Sequence, residues 1–255
     1  LPSLKERKKL IKSNSGASLI DMGDGVACLE FHSANNSIDP DVIQMMMDSV
    51  AEVEENFEGL VIGNHGANFC VGANIKQIYP ATQTKEWKFL DKALTDFQQA
   101  NMRVKYSQKP VVAAPFRMAL AGGCEVCLAT SRVRASVECY MGLVEVGMGI
   151  IPAGGGTKEM LLRATDWVPP SIPSAVPGGG KPDLLPYVSR TFETIAMAKV
   201  STCAQEAKSL GYMSPYDTIT MNLDHLLQDA KQTVMALAKA GYRPPRPRGD
   251  IRVIG

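Results

Sequence analysis

The sequence has no charge imbalance and no long apolar run. Its 255 residues carry 27 Lys and Arg against 26 Asp and Glu, a net charge of +1. A chain without a basic excess has no overall field to attract nucleic acid or an anionic membrane. No apolar stretch approaches the roughly 20 residues that span a bilayer, and the basic N-terminus lacks the apolar core of a secretory signal. We therefore expect no nucleic acid and no membrane as partners, and a cytoplasmic location.

Histidine is scarce, and the cysteines are not arranged for metal binding or disulfides. The three histidines are isolated, and the six cysteines lie mostly inside apolar segments. Cys124 and Cys127 form a Cys-x-x-Cys pair, but no second ligand pair follows, as a structural zinc site requires. A redox pair would lie at an exposed helix start, whereas apolar residues surround Cys127. The sequence predicts buried, reduced thiols and no bound metal.

The glycine motifs of nucleotide sites are also missing. No strand is followed by Gly-x-Gly-x-x-Gly, so we expect no NAD and no other cofactor. The run AGGGTK (153–158) superficially looks like a P-loop, but Thr157 precedes Lys158 and the four-residue spacer is absent. A glycine run of this kind more often marks a tight entry to a helix.

Strand-like and helix-like segments alternate along the first half of the chain. Asp39 can cap a helix that has Pro40 in its first turn, and apolar residues then recur at helical spacing. Further helices are predicted over about 85–106 and 224–240, with Gly241 as the stop of the latter. The alternation predicts an α/β domain. Strand-length apolar runs lie at 17–22, 26–31, 59–64, 111–116 and 132–137.

The composition changes after residue 164. Five prolines between Pro169 and Pro182 and three glycines at 178–180 predict a long loop. We expect a linker over 1–16, a core over 17–165, an insertion loop over 166–185 and a C-terminal helical part of the same domain over 186–240. The Pro- and Arg-rich segment 241–255 reads as an extended tail, and both ends of the chain look cut from a longer polypeptide.

Two glutamates stand alone in apolar surroundings. Glu125 follows the glycines at 122 and 123, and it is the only charged residue between Met118 and Thr130. Glu145 is the only acidic or basic side chain between Glu138 and Lys158. Glycines at a helix start leave backbone N–H groups free to stabilise a developing negative charge. Two isolated carboxylates could form a general acid/base pair, or both could be structural.

Three motifs, in order, resemble the crotonase, or enoyl-CoA hydratase/isomerase, superfamily. They are NFCVGANIKQI (68–78), KPVVAAPFRMALAGGCEVCLATSRVRAS (109–136) and YMGLVEVGMGIIPAGGGTKEMLLR (140–163). Weaker similarity extends the resemblance over roughly residues 17–240. It implies a spiral of ββα units with C-terminal helices used in trimerisation, as a homotrimer or a dimer of trimers. It also implies an acyl-CoA thioester as the substrate.

The resemblance assigns roles to individual residues. The backbone N–H groups of Ala73 and Gly122 match the oxyanion hole that holds the thioester oxygen. Glu125 and Glu145 match the two catalytic glutamates of the hydratases, which add water to a trans-2-enoyl-CoA in fatty-acid β-oxidation. Because both glutamates are present, a hydratase is favoured; a Δ3,Δ2-enoyl-CoA isomerase and an inactive excised module are the alternatives. Residues expected to contact CoA or substrate are Val71, Gly72, Asn74, Lys76 and Gly123.

The chain departs from the family pattern at several positions. Asn74 replaces an Asp, Ala121 replaces the first of three glycines, and Val144 replaces a Pro, but no catalytic group is lost. The insertion at 166–185 is absent from compact hydratases, and we expect it to border the acyl pocket or its entrance. The insertion and both chain ends resemble the hydratase portion of bacterial fusion proteins that carry a 3-hydroxyacyl-CoA dehydrogenase upstream. That module is the partner expected in a full-length chain.

Overall fold

The computed structural model of the protein describes residues 9–166 and 183–251, together with residues 5 and 168. Most of the proline- and glycine-rich insertion expected at 166–185 therefore lies outside the described residues. The strands are β1 Leu10–Ser13, β2 Ala17–Asp21, β3 Val26–Phe31, β4 Gly59–Ile62, β5 Val111–Ala113, β6 Arg117–Leu120, β7 Arg132–Ser136, β8 Cys139–Gly142 and β9 Thr218–Thr220. The α-helices are α1 Pro40–Asn56, α2 Ile75–Gln83, α3 Trp87–Lys105, α4 Gly122–Ala129, α5 Gly156–Asp166, α6 Leu185–Ala196, α7 Ala204–Leu210 and α8 Leu226–Lys239.

A seven-stranded sheet forms the centre of the domain. Its strand order is β1-β2-β3-β4-β5-β7-β9. The first three strands pair antiparallel, and every pairing from β3 onward is parallel. Strands β3, β4 and β5 are buried along their whole length, because helices cover a parallel sheet on its faces. The expected α/β fold is confirmed.

A smaller sheet aligns the chain segments that lead into the candidate site. Strands β6 and β8 pair in parallel, with Leu120 opposite Gly142 at their ends. Cys70 makes a parallel bridge to Ala119 on the other side of β6. Three chain segments therefore run side by side in one direction, and each leaves the same edge of this small sheet.

Several helices begin and end where the sequence predicts. The Asp39 carboxylate accepts a hydrogen bond from the Val42 N–H at 2.9 Å and caps α1, whose first residue is Pro40. Helix α8 ends next to Gly241, which has a left-handed φ of +76°. The predicted helices over 85–106 and 224–240 are confirmed as α3 and α8, each of which starts two residues later and ends one residue earlier than predicted. Within the described residues, no helix is long and apolar enough to cross a membrane.

The chain differs from expectation near both ends. Residues 10–13, inside the range expected to be a linker, instead form β1, whose four residues are exposed and which pairs with β2. An exposed edge strand has no buried face, so apolar patterning could not show it. The segment after 240 also contacts the domain. The Ser131 hydroxyl donates to the Tyr242 hydroxyl at 2.9 Å, and Arg248 pairs with Asp166 at 2.9 Å.

A test of this packing is the substitution Gly123→Ala. A Cβ at Gly123 would lie 2.4 Å from the backbone oxygen of Cys70, which cannot move without disturbing the small sheet. We expect a loss of about 1–3 kcal/mol in the free energy of unfolding, measured by denaturant titration. Gly249→Ala is the matched control, because nothing lies within 4 Å of its Cβ position. Its stability should stay within about 0.5 kcal/mol of wild type; an equal effect of both changes would contradict the close contact.

Candidate active site

Helix α4 begins directly after β6, at a residue with a left-handed backbone. Ala121 has φ 49° and ψ −125°, a conformation that glycine adopts readily and alanine does not. Gly122 is the first residue of α4, where a backbone N–H has no acceptor within the helix. Among the described residues, no other group accepts from the Gly122 N–H. The helix start therefore presents an available donor beside a strained turn.

The segment around Ala73 lies against this helix start. The Ile38 N–H donates to the Gly72 oxygen at 2.8 Å, and the Asn74 N–H donates to the Ile38 oxygen at 3.0 Å. These bonds use the backbone groups on either side of Ala73, whose own N–H has no acceptor in the described part of the chain. Gly72 has φ +95°, and a Cβ there would lie 3.2 Å from the Gly122 nitrogen. Glycine thus permits the two segments that carry these free donors to touch.

Glu125 lies in the first turn of α4 and is 4% exposed. Its carboxylate Oε1 accepts from the Gly156 N–H at 2.8 Å, at the start of α5. Burial raises the pKa of Glu125 to about 7, the Gly156 N–H opposes that rise, and the charge of Glu145 adds to it. A helix start is favourable for a carboxylate because the helix dipole and the unpaired N–H groups both attract negative charge.

Glu145 opens a short 3-10 helix, Glu145–Met148, and is the third residue after the end of β8. It is 7% exposed, and burial raises the pKa of its carboxyl group to about 7. Neither carboxylate oxygen has a hydrogen-bond partner among the residues that the structure describes. A buried carboxylate without donors is costly when ionised. Such a group fits a site whose remaining partner is a bound molecule.

The two cysteines next to Glu125 are packing residues. Cys124 and Cys127 are fully buried in α4, and burial raises the pKa of both thiols well above the ordinary value. A thiol that does not ionise is a poor nucleophile and a poor metal ligand. Both are free thiols. Within the described ranges, no group of three or more His, Cys, Asp or Glu residues could hold a metal ion.

The residues expected to contact CoA or substrate form one turn and the start of α2. Val71 and Asn74 are half-buried, Gly72 is buried and Lys76 is exposed. The Asn74 side chain caps α2 by accepting from the Lys76 N–H at 3.2 Å, which an Asp at this position would do equally well. Gly123 is buried against Cys70, and this packing alone is reason for a glycine there. Contact of these residues with a ligand stays a prediction.

A turn over 153–155, which we call the rear turn, supports Glu125 and was not predicted as part of the site. A Cβ at Gly154 would lie 2.3 Å from Phe97 and 2.5 Å from the Glu125 Oε2. The amide groups of Gln98 and Asn101, on α3, donate to the Ala153 and Gly154 oxygens at 2.7 and 2.9 Å. The glycine run AGGGTK predicted only a tight helix entry, which α5 confirms.

The comparison with known proteins agrees with this geometry. Residues 21–165 match the family model for enoyl-CoA hydratase/isomerase, and the chain belongs to this family, the crotonase superfamily. A Bacillus subtilis (strain 168) protein named "Probable 3-hydroxyacyl-CoA dehydrogenase" is 49% identical over 245 residues. The match covers 96% of this chain but 29% of that protein. The chain thus spans less than a third of that curated relative.

Solved structures show the same fold. An enoyl-CoA hydratase from Bacillus anthracis superposes with a TM-score of 0.69 at 22% identity, covering 88% of this chain and 76% of that one. The corresponding values for an enoyl-CoA hydratase from Bacillus halodurans are 0.71, 17%, 89% and 82%. At these identities the similarity establishes the crotonase fold alone.

The raised pKa values predict how stability depends on pH. The ordinary value for Glu is 4.5, and both glutamates titrate near 7 in the folded protein. Between these values the folded state binds more protons than the unfolded state, so each glutamate makes stability fall as pH rises from about 4.5 to about 7. As pH rises through this window, the free energy of unfolding of Glu145→Gln should increase relative to that of wild type by on the order of 2 kcal/mol. Denaturant unfolding at several pH values measures this difference.

The exposed Glu138 provides the control for this experiment. Glu138→Gln should keep a constant difference from wild type over the same range. A Glu145→Gln variant whose difference from wild type is also constant with pH would show that the Glu145 carboxyl titrates as it does in water.

Proposed function

We propose that this chain is an enoyl-CoA hydratase domain, which adds water across the double bond of a trans-2-enoyl-CoA. The observation that carries the proposal is the unequal environment of two buried carboxyl groups. Glu125 accepts from the Gly156 N–H, whereas both oxygens of Glu145 lack a donor among the described residues. The Gly156 N–H favours the ionised form of Glu125, whereas burial favours the protonated form of Glu145, which accepts no hydrogen bond from another described residue. This is the arrangement that a base and an acid require.

The chemistry follows from these protonation states. Glu125 removes a proton from water as the water oxygen forms a bond to C3 of the enoyl thioester. The electron pair of the C2–C3 double bond moves toward the thioester oxygen, and Glu145 then gives its proton to C2. Glu125 ends protonated and Glu145 ionised. The two carboxyl groups titrate near the same pH, and the charge of one affects the other. The state in which the pair together binds one proton is therefore populated near neutrality.

The enolate formed in this sequence needs donors for its oxygen. The free N–H groups of Ala73 and Gly122 lie on two segments that touch at Gly72. A donor aimed at a developing oxyanion is typically worth about 10²–10³ in rate. The exposed Lys76, in the first turn of α2 and three residues after Ala73, would contact the phosphates of CoA, with Val71 and Asn74 on the turn before it. The reaction needs no redox cofactor or metal.

The setting of the reaction follows from the chemistry of its product. Hydration yields a 3-hydroxyacyl-CoA, which is the kind of substrate named for the Bacillus subtilis relative. We propose that a 3-hydroxyacyl-CoA dehydrogenase module belongs to the same polypeptide and acts next, in cytoplasmic fatty-acid β-oxidation.

The proposed roles of the two glutamates are tested by Glu125→Gln and Glu145→Gln. Each change removes proton transfer while nearly keeping the shape of the side chain, so we expect kcat with crotonyl-CoA to fall by about 10²–10⁴-fold. The measurement is loss of the conjugated enoyl-thioester absorbance. Glu138→Gln, an exposed Glu to Gln change on the adjoining loop, is the control and should keep wild-type turnover.

Other outcomes separate the alternatives. Turnover of a 3-enoyl-CoA without hydration of crotonyl-CoA would identify an isomerase. Retained hydration in either glutamate variant would remove that residue from the mechanism. A folded chain that binds CoA thioesters without turnover would identify a module that is inactive when excised.

We also propose that the domain assembles as a trimer or a dimer of trimers. Large apolar side chains are exposed on and around α6 and near the site, including Phe192 at 70%, Met197 at 68% and Ile151 at 65%. Exposed apolar groups in such number are typical of an interface between subunits. We expect light scattering to give three or six times the mass of the chain, and Phe192→Asp to shift the population toward monomer. A monomeric wild-type protein would contradict this proposal.

A further inference from the structure

We propose that Asn101 is a positioning residue, which holds the rear turn so that the Gly156 N–H stays on the Glu125 carboxylate. The proposal rests on the hydratase function above and deepens it, because it adds a residue that acts through Glu125 without touching the substrate. Asn101 lies on α3, far along the chain from both glutamates, and no sequence motif marks it.

The contact between Asn101 and the turn is buried and specific. Asn101 is 5% exposed, and its Nδ2 donates to the Gly154 oxygen at 2.9 Å. Three residues earlier on the same face of α3, the exposed Gln98 donates to the Ala153 oxygen at 2.7 Å. Two successive backbone carbonyl groups of the rear turn therefore accept hydrogen bonds from α3. The bond from Asn101 is the buried one of the two.

The rear turn is in direct contact with the carboxylate that it supports. The Cβ position of Gly154 lies 2.5 Å from the Glu125 Oε2, and Gly156 donates to the Glu125 Oε1 at 2.8 Å. The backbone on both sides of Gly155 thus faces one carboxylate. Because a hydrogen bond weakens steeply with distance and angle, a small shift of the turn would loosen the Gly156 donor.

The orientation of the Asn101 amide also points to this role. Only the NH₂ group can donate to the Gly154 carbonyl, so Oδ1 must face the other way, and it is buried without a partner among the described residues. Burying an amide oxygen in this way is unfavourable, and a leucine of similar size would avoid it. The bond to the rear turn is what the asparagine provides. Asn101 also lines a cavity of about 370 Å³ that reaches Glu125.

A neutral substitution at Asn101 changes none of the charges around Glu125, so its effect on Glu125 comes through hydrogen bonding. The charge of Glu145 raises the pKa of Glu125. Lys158 and Glu159, from α5, line the same cavity. Glu159 forms ion pairs with both Lys158 and Lys105 of α3, so the carboxylate that lines this cavity beside Glu125 is already paired. A change of Asn101 to a neutral residue leaves all of them in place.

The test compares Asn101→Leu with Asn101→Gln and with Gln99→Ala. Leucine cannot donate to the rear turn, so we expect kcat to fall roughly 10- to 100-fold, with KM for crotonyl-CoA little changed. The acidic limb of the kcat profile should move to higher pH, because the donor that lowers the pKa of Glu125 is loosened. Glutamine keeps the NH₂ group, and the adjoining cavity leaves room for it, so it should restore part of the rate and of the profile. Gln99, exposed on the same helix, is the matched control and should behave as wild type.

The results that would overturn the proposal are distinct from those that would overturn the hydratase function. A lower rate in Asn101→Leu with an unmoved pH profile would show that Asn101 only packs. If that variant does not fold, the exposed Gln98→Ala should shift the profile in the same direction by a smaller amount, and an unchanged profile there would contradict the proposal. Activity that survives Glu125→Gln and Glu145→Gln would instead overturn the function on which the proposal rests.

Discussion

The parallel alignment of three short segments is the constraint on which the site depends. Cys70 pairs with Ala119 of β6, and Leu120 of β6 pairs with Gly142 of β8. Parallel segments end at a common edge, so the chain that follows each of them enters the same space. The free N–H groups of Ala73 and Gly122 follow the first and second segments, Glu125 follows the second and Glu145 follows the third. Residues separated by about 70 positions in the sequence are thus directed to the same side of the small sheet without a long connecting loop.

Close approach of these segments determines where glycine is required. Gly72 and Gly123 sit where a methyl group would meet the neighbouring segment within 2.7 Å or less, and Gly72 also has a left-handed backbone. Ala121 has a left-handed backbone too, yet it carries a Cβ. That conformation typically costs about 1–3 kcal/mol, and the small sheet on one side and α4 on the other hold it in place. The strain and the free N–H of Gly122 arise from the same turn, as is common at functional sites.

The sequence singled out the two buried glutamates of the candidate site, but not the residues that hold them in position. Isolated Glu125 and Glu145 were recognisable because a charge in an apolar segment is unusual, and the glycines before Glu125 indicated a helix start. The five strands of the large sheet that were predicted lie in six-residue runs of mainly apolar or alternating residues, whereas no such run was recognised for β6, β8 or β9, although β4 and β5 are as short. Asn101 could not be found in this way. An asparagine on an amphipathic helix looks like any other polar residue until the rear turn is placed against it.

The difference between the two carboxyl groups comes from backbone geometry rather than from charged side chains. Both are buried, and burial alone would raise both pKa values and give them the same role. The start of α5 distinguishes them, because its N–H groups reach Glu125 and not Glu145. Those groups face Glu125 only while the rear turn is held against α3. The proposed division into base and acid therefore depends on how α3, the rear turn and α5 pack behind the small sheet, in a part of the domain that the substrate need not touch.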